Sequence, residues 1–418
     1  MIQNKKMYSI PNQTKTLLGI IENSGFEAYI VGGAVRDIII GRIPHDWDIM
    51  TDALPCDIER IFHGIDGYRT EDIGKKNGTI TVIRDLGEQT VYHEITTYRV
   101  DGEYSDGRHP DYVRFSKSLK EDLLRRDFTI NAIAMDRNGT ILDPLSGFKD
   151  IEDKLIKAVG SPAARFSEDA LRILRGIRFE SELNDLGFKI DIETKEAMIS
   201  KRFELKSVSI ERIQSEFNRI MLSSGASLAL KKYREIIDVF IPELEKIPVF
   251  YEPRISPVLQ VRLALLLAEI NSPEEILKRL KYSRRIIEDT LFLIRNRNTS
   301  FNLNKIDARK KLNMFGEKHL KMLISMKKSQ SEYTLLDEIR RIEEFERIVQ
   351  NVIDEGDCYK LTDLAVDGKD IIEFGVEEGP DVGKMLNYIL DGVIEGRISN
   401  DRESIMREVE INLTEPSL

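Results

Sequence analysis

Two aspartates one residue apart, Asp46 and Asp48, lie in the run His45-Asp46-Trp47-Asp48-Ile49. In a strand, alternate side chains face opposite ways, so the two carboxylates share one face while Trp47 and Ile49 share the other. Hard divalent cations need oxygen ligands converging on one point, and such a pair on a strand edge suits a two-metal phosphoryl transfer. An isolated Asp-x-Asp is also common in solvated turns, so the residues ahead of it matter. Gly32-Gly33 lets the backbone approach a triphosphate, the N–H groups at the following helix start point toward an anion, and Arg36 lies one turn in. Glu94, in a second stretch of strand character, is the candidate for a further metal ligand; the alternative for it is a surface strand residue.

Two more clusters carry chemistry. Arg125-Arg126-Asp127 precedes an apolar stretch, Phe128 to Ala134, and is expected at the start of a short helix, where it could hold ribose or phosphate or form an ion pair between an Arg and Asp127. In Glu168-Asp169-Ala170-Leu171-Arg172-Ile173-Leu174-Arg175-Gly176-Ile177-Arg178, a three-residue helical step turns about −60°, so Asp169, Arg172 and Arg175 share one face. Asp accepts and Arg donates, so side by side they can read a base edge with an amino donor beside a ring-nitrogen acceptor. Cytosine and adenine present that edge. Uracil and guanine reverse it, leaving buried groups unpaired at about 1 to 3 kcal/mol each. The plain alternative is a salt-bridged surface helix.

The elements that would position these groups follow from pattern. Ala28-Tyr29-Ile30-Val31 reads as a short strand running into Gly32-Gly33 and a helix that Gly41 stops. Thr79 to Ile83 and Val91 to Thr97 read as a hairpin with a five-to-seven-residue connection, placing Glu94 mid-strand. Asp101 to Pro110, with two glycines and no apolar period, reads as a mobile loop. Ser167 is the expected N-cap of the Asp169–Arg178 helix, Ser209 opens another through Met221, and Pro380 opens one with an apolar stripe of Val382, Leu386, Ile389, Leu390 and Val393.

The 418 residues, 41% hydrophobic and 32% charged, imply two to four globular units rather than a disordered chain. No apolar run is long enough for a signal peptide or a membrane span, which predicts a cytoplasmic protein without membrane contact. Cys56 and Cys358 are too few for a disulfide framework or a Cys-rich zinc site and read as buried small hydrophobes. Net charge is −10, against non-specific coating of nucleic acid, yet Lys278 to Lys328 holds fifteen Lys or Arg against four acids. That run reads either as a solvated helical face or as a phosphate-binding surface.

Taken together, Gly32-Gly33-Ala34-Val35-Arg36-Asp37, Gly41-Arg42, Asp46-Trp47-Asp48-Ile49, Arg125-Arg126-Asp127-Phe128-Thr129-Ile130-Asn131-Ala132, Glu168-Asp169-Ala170-Leu171-Arg172 and Ser209-Ile210-Glu211-Arg212, in that order, resemble the class II tRNA nucleotidyltransferase and bacterial poly(A) polymerase family. The resemblance implies an α+β chain: a polymerase-β-like head with a small mixed sheet at 1–150, then all-α neck (151–225), body (226–345) and tail (346–418), the last two holding the acceptor arm and elbow of tRNA. Carried over, Gly33 and Arg36 would bind the incoming nucleoside triphosphate, and Asp46 and Asp48 two Mg²⁺ ions. Arg126, Asp169, Arg172, Arg175 and Arg178 would complete the nucleotide site, with Asp169 and Arg172 reading the base. The activity implied is template-independent addition of CCA to the 3′ end of tRNA from CTP and ATP, with release of pyrophosphate. Residues Asp101 to Arg108 resemble the flexible element of members that add the terminal A, which disfavours a CC-only enzyme. An A-adding enzyme or a poly(A) polymerase is the alternative within the family, and a non-catalytic RNA-binding protein the alternative outside it.

Overall fold

The computed structural model describes residues 9–44, 46–72, 74–85, 90–102, 112–246, 256–330 and 336–414. The chain divides into two compact units, Met1–Pro248 and Val249–Leu418.

The first unit opens with helix α1 (Asn12–Asn23) and then alternates strand and helix: β1 (Ala28–Val31), α2 (Gly33–Ile40), β2 (Ile49–Thr51), α3 (Pro55–Phe62), β3 (Tyr68–Glu71), β4 (Thr79–Asp85) and β5 (Thr90–Thr97). A small pair, β6 (Arg99–Asp101) and β7 (Val113–Phe115), precedes α4 (Leu119–Leu124), followed by β8 (Ala134–Met135), β9 (Ile141–Leu142) and α5 (Gly147–Glu152). Seven strands form one sheet in the order β3-β4-β5-β2-β1-β8-β9. The sheet is mixed: β2 and β5 run parallel with Ile49 opposite Ile95, while the other pairs are antiparallel. The alternation seen in β5 is the reason it holds both roles, with His93 and Ile95 buried and Glu94 exposed. Leu17, Leu18 and Ile21 of α1 and Val31, Met50, Leu123 and Ala134 are all but fully enclosed, giving the sheet its apolar faces.

The hairpin strands pair as far as Asp85 and Thr90, so they reach nearer the turn than the sequence pattern suggests. Residues 86–89 of that connection, His45, and 103–110 of the Asp101–Pro110 loop lie outside the described residues.

Beyond the sheet come a two-residue parallel pair, β10 (Leu155–Ile156) with β11 (Lys189–Ile190), and the helices α6 (Pro162–Glu168), α7 (Leu171–Glu182), α8 (Ile192–Lys201), α9 (Ile210–Leu222), α10 (Ala226–Lys232) and α11 (Arg234–Ile237). α7 is the central one, with ten of its residues buried. A Cβ on its Gly176 would meet the Phe128 ring at 3.0 Å, so glycine here allows the helix to press against the apolar stretch that follows Asp127.

The second unit is helical: α12 (Leu259–Leu267), α13 (Pro273–Arg279), α14 (Arg284–Arg295), α15 (Lys305–Gln330), α16 (Leu336–Asp354), α17 (Gly368–Glu373), α18 (Pro380–Ile394) and α19 (Arg402–Thr414). α15 breaks at Gly316, whose φ of 72° and ψ of 161° no helix accommodates. One core joins α15 and α16 through Leu312, Leu320, Phe345 and Val349, and another joins α17, α18 and α19 through Ile371, Ile389, Leu390 and Ile405. At least nine of the fifteen cations between Lys278 and Lys328 are paired with acids of this unit, among them Lys305 with Glu355, Arg309 with Asp357, Lys310 with Glu395 and Lys318 with the buried Asp289. Cys358 is buried as expected, but Cys56, near the start of α3, is exposed; position 56 falls on the solvent side of that helix. Among the described residues no helix is long and apolar enough to cross a membrane.

Candidate active site

Gly32 turns β1 into α2 at φ 75° and ψ −139°, a conformation that costs an L side chain strain. A Cβ there would stand 3.1 Å from Arg126 Nη1 and 3.7 Å from Asp48 Oδ2. Bare backbone, a guanidinium and a carboxylate therefore border one small space. Gly33 begins α2, and one turn on, Arg36 is buried: its Nη1 donates to Asn131 Oδ1 at 2.9 Å, and its Nε and Nη2 donate to Asp37 Oδ1 at 2.9 and 2.8 Å.

Asp46 and Asp48 are both exposed, on the lead into β2 rather than within it. The alternating pattern suggests a strand from residue 45, but pairing starts at Ile49. Val31 N–H still donates to the Asp48 carbonyl at 3.1 Å, which ties the lead-in to β1. The Asp48 carboxyl is held above the ordinary carboxylate range, first by the desolvation its surroundings impose and then by Glu94 and Asp46, with Arg126 opposing. Glu94 stands beside it because Ile49 and Ile95 pair in the parallel ladder, so Asp48 and Glu94 precede that pair on adjacent strands. Among the described residues no group of three His, Cys, Asp or Glu is gathered tightly enough to hold a metal ion. Mg²⁺ takes one or two carboxylates together with water and phosphate oxygens, so Asp46 and Asp48 fit it and leave the remaining positions to a substrate.

Arg125, Arg126 and Asp127 do not begin an α-helix. Ser118 caps α4 by accepting the Glu121 N–H, the helix ends at Leu124, and the three charges lie on the bend before a single 3₁₀ turn at Thr129–Asn131. Asp122, fully buried at the end of α4, pairs with Arg125 at 2.7 Å and lies 3.6 Å from Arg126. Arg126 Nε is buried without a hydrogen bond. Asp127 is enclosed, accepting from Phe128 N–H at 2.8 Å and from Arg175 Nε at 2.8 Å. Burial alone would raise its carboxyl, but the Arg175 charge and hydrogen bonds outweigh this and bring it to about 2.

Arg178 lies deeper than the sequence suggests, 2% exposed, with Nε donating to Glu216 at 2.6 Å and Nη1 to Glu182 at 3.1 Å. The Phe179 ring gathers three guanidiniums, Arg178 at 4.1 Å, Arg36 at 5.2 Å and Arg175 at 5.5 Å from its centroid, an arrangement the ring quadrupole favours. Like charges so close are tolerable because Asp37, Asp127, Glu182 and Glu216 answer them.

Asp169 departs from the helical geometry the spacing implies. α6 ends at Glu168, Asp169 is extended (φ −148°, ψ 102°) and α7 starts at Leu171. Ser167 is thus in the last turn of α6 rather than an N-cap, and Asp169 does the capping, its Oδ1 accepting from Leu171 N–H at 3.1 Å. Its Oδ2 accepts from Arg212 Nη2 at 2.8 Å. Arg172 instead reaches back one turn to Glu168 at 2.6 Å and to the Arg125 carbonyl at 3.3 Å. Asp169 and Arg172 are near neighbours held by separate partners. Beside Arg172 opens a cleft of about 770 Å³ whose walls include Asp101, Tyr112, Arg114, Arg125, Arg165 and Glu168. Neither Asp46 nor Asp48 lines it.

Asn131, Phe179, Arg212 and Glu216 are the groups that sequence reasoning left without a role. Their partners are 38 to 95 residues away in sequence for Glu216, Arg212 and Asn131, so no local period reveals them.

Known proteins resemble the chain along nearly its whole length. Residues 28–157 match the poly A polymerase head domain, 187–247 the probable RNA and SrmB-binding site of polymerase A, and 260–409 a putative tRNA nucleotidyltransferase domain 2. A CCA-adding enzyme of Bacillus pumilus is 36% identical over 93% of this chain and 94% of its own length. The crystal structure of a Bacillus stearothermophilus CCA-adding enzyme in complex with CTP superposes with a TM-score of 0.79 at 30% identity, covering 96% of this chain and 97% of that one. A Thermotoga maritima CCA-adding enzyme complexed with tRNA shares the fold at 20% identity and a TM-score of 0.62 over 96% and 95% of the two chains. With a head of this topology, two solvent-facing aspartates beside a glycine turn, and relatives of this identity along nearly its whole length, the chain belongs to the family of CCA-adding enzymes.

Proposed function

We propose that this protein adds CMP, CMP and AMP in turn to the 3′ end of tRNA, taking them from CTP and ATP and using no nucleic-acid template. In each step the terminal 3′-hydroxyl of the RNA gives up its proton to solvent, its oxygen bonds to the α-phosphorus of the nucleotide, the α–β phosphoanhydride bond breaks, and pyrophosphate leaves with its electron pair. The observation that carries the reading is the shared space bordered by Gly32, Arg126 and Asp48, with Arg36 in α2 and Asp46 on the lead into β2. Gly32 and Gly33 admit the triphosphate to the backbone, and Arg126 and Arg36 balance its charge. Asp46 and Asp48 hold Mg²⁺, with Glu94 as the neighbouring carboxylate. When bound, the two ions supply charge stabilisation to the attacking and leaving oxygens. Asp127 orders Arg175, and Asp169 with Arg172 read the amino and ring-nitrogen edge common to cytosine and adenine.

The chain then divides by task into head, neck, body and tail in that order, with body and tail holding the acceptor arm and elbow of tRNA. The test is incubation of the protein with tRNA lacking CCA, CA or A, with each labelled nucleoside triphosphate and Mg²⁺. Stepwise C, C and A incorporation is expected. No incorporation on any substrate would sink the reading, and AMP alone onto tRNA ending in CC would make this an A-adding enzyme. Asp46→Ala and Asp48→Ala should each abolish turnover while tRNA affinity stays near normal; lost affinity with residual turnover would point away from metal binding.

A further inference from the structure

We infer that the bare face of β4 and β5 beside Glu94 seats the last ribose of the acceptor RNA, and that the Thr81 hydroxyl takes its 2′-OH. This rests on the proposed transfer to an RNA 3′-oxygen.

The sheet order fixes the direction of approach. Gly32 and Arg126, which border the Asp48 carboxylate, lie on its β1 side, and the pyrophosphate leaves toward them. An in-line displacement brings the attacking oxygen from the opposite side. In the order β4-β5-β2-β1, that side is over β5 and β4. The registers set three residues in a row across these strands. Asp48 and Glu94 each precede the Ile49–Ile95 pair, and Thr81 stands directly opposite Glu94 on β4. Residues in register share one face of a sheet, while His93 and Ile95 fill the other.

This part of the face is open. Glu94 and Tyr92 are exposed, Tyr92 by 61%, and Thr81 is half-buried. The neighbouring threonines, Thr79 and Thr96, hydrogen-bond each other at 2.9 Å. The Thr81 hydroxyl has no such partner among the described residues. A donor and acceptor therefore stands ready next to Glu94, on the side from which the RNA end must come.

The surrounding chemistry selects the group it meets. Glu71, directly opposite Thr81 on β3, adds a third carboxylate to Asp48 and Glu94. A phosphate would be repelled over this floor; an uncharged ribose would not. The 3′-oxygen has to reach the Asp48 side, and the group next to it on the ring is the 2′-OH. Two strand spacings, about 10 Å, separate Asp48 from Thr81. The Asp48 side chain, a ribose and one O–H···O bond of about 2.8 Å can fill that span. Thr81 thus distinguishes an RNA end from a DNA end.

The experiment is steady-state incorporation of AMP by the full-length protein onto tRNA ending in CC, compared with the same tRNA whose last cytidine is 2′-deoxy. The variants are Thr81→Val, which keeps the branched shape and removes the hydroxyl, Thr81→Ser, and Thr79→Val as a control on the same face. The parent protein should favour the ribose end about fivefold or more in kcat/KM for tRNA. Thr81→Val should bring that ratio close to one by losing activity on the ribose end alone, because hydroxyl and 2′-OH act as one pair. Thr81→Ser should keep most of the ratio, and Thr79→Val all of it. An unchanged ratio in Thr81→Val, no preference in the parent protein, or the same loss in Thr79→Val would overturn the assignment. Equal losses on both ends in Thr81→Val would overturn it too, by showing a purely structural role. No incorporation by the parent protein on either end would instead remove the proposed transfer itself. Should Thr81→Val fail to fold, Thr81→Ala carries the same expectations.

Discussion

Asp127 shows how far one residue's chemistry depends on a partner that its own neighbourhood in sequence does not name. Its carboxyl is brought from 3.8 to about 2 although it is buried, because Arg175 donates to it from α7. A folded-state value below the unfolded one gives stability that is full above about pH 4 and is lost as pH falls through about 2. The contribution near neutrality is about 2 kcal/mol. Asp127→Asn should therefore be destabilised relative to the parent at pH 7, and the gap should narrow in denaturant titrations between pH 4 and pH 2; a gap independent of pH would contradict the assignment. That Arg36, Asp46 and Asp48 lie close to one another was legible from the chain, because only the rest of one short helix and a glycine turn separate them in sequence, and an ion pair between an Arg and Asp127 was one of the two readings of its cluster. That Arg175 and Arg178 are committed to Asp127 and Glu216 was not legible, since an arginine's partner is decided by packing between helices.

At the scale of elements, the strand, glycine turn and helix around Gly32 followed from local pattern, as did the β4–β5 hairpin. The break at Asp169 did not. Ser167 and Asp169 are both good capping residues, and the apolar stripe of Leu171, Leu174 and Ile177 starts after either; only Pro162, which opens α6 at its first turn, marks the earlier helix. The turn at Gly32 offers a matched pair of tests. Gly32 and Gly41 both have positive φ, 75° and 81°, but a Cβ at Gly41 meets nothing within 4 Å whereas one at Gly32 meets Arg126 and Asp48. Gly41→Ala should cost about 1–2 kcal/mol of stability through left-handed backbone strain, and Gly32→Ala, in a region essentially reserved for glycine, up to about 3 kcal/mol. Only Gly32→Ala should also weaken nucleoside triphosphate binding, by tenfold or more in equilibrium titration. Equal binding losses in the two variants would show that strain alone is responsible.

Over the whole molecule, the sequence separated an α+β head from a helical remainder because period two gives way to period 3.6 after about residue 150, while the way the helices pack is set by contacts no single helix encodes. The basic stretch from Lys278 to Lys328 illustrates this. Counted along the chain it is strongly cationic, yet in the fold at least nine of its fifteen cations meet carboxylates, several contributed by Glu346, Glu355, Asp357 and Glu395 farther along. Those carboxylates act as tethered counterions. When RNA phosphates displace them, each freed carboxylate recruits a mobile cation, which offsets part of the counterion release that normally drives nucleic-acid binding. The contribution of this stretch to the slope of the logarithm of the tRNA association constant against the logarithm of salt should then be shallower than the roughly −13 that fifteen free cations would give. Glu355→Gln and Glu395→Gln should each steepen it. The helical unit would thus hold a polyanion with an affinity that is buffered against ionic strength by its own acidic side chains.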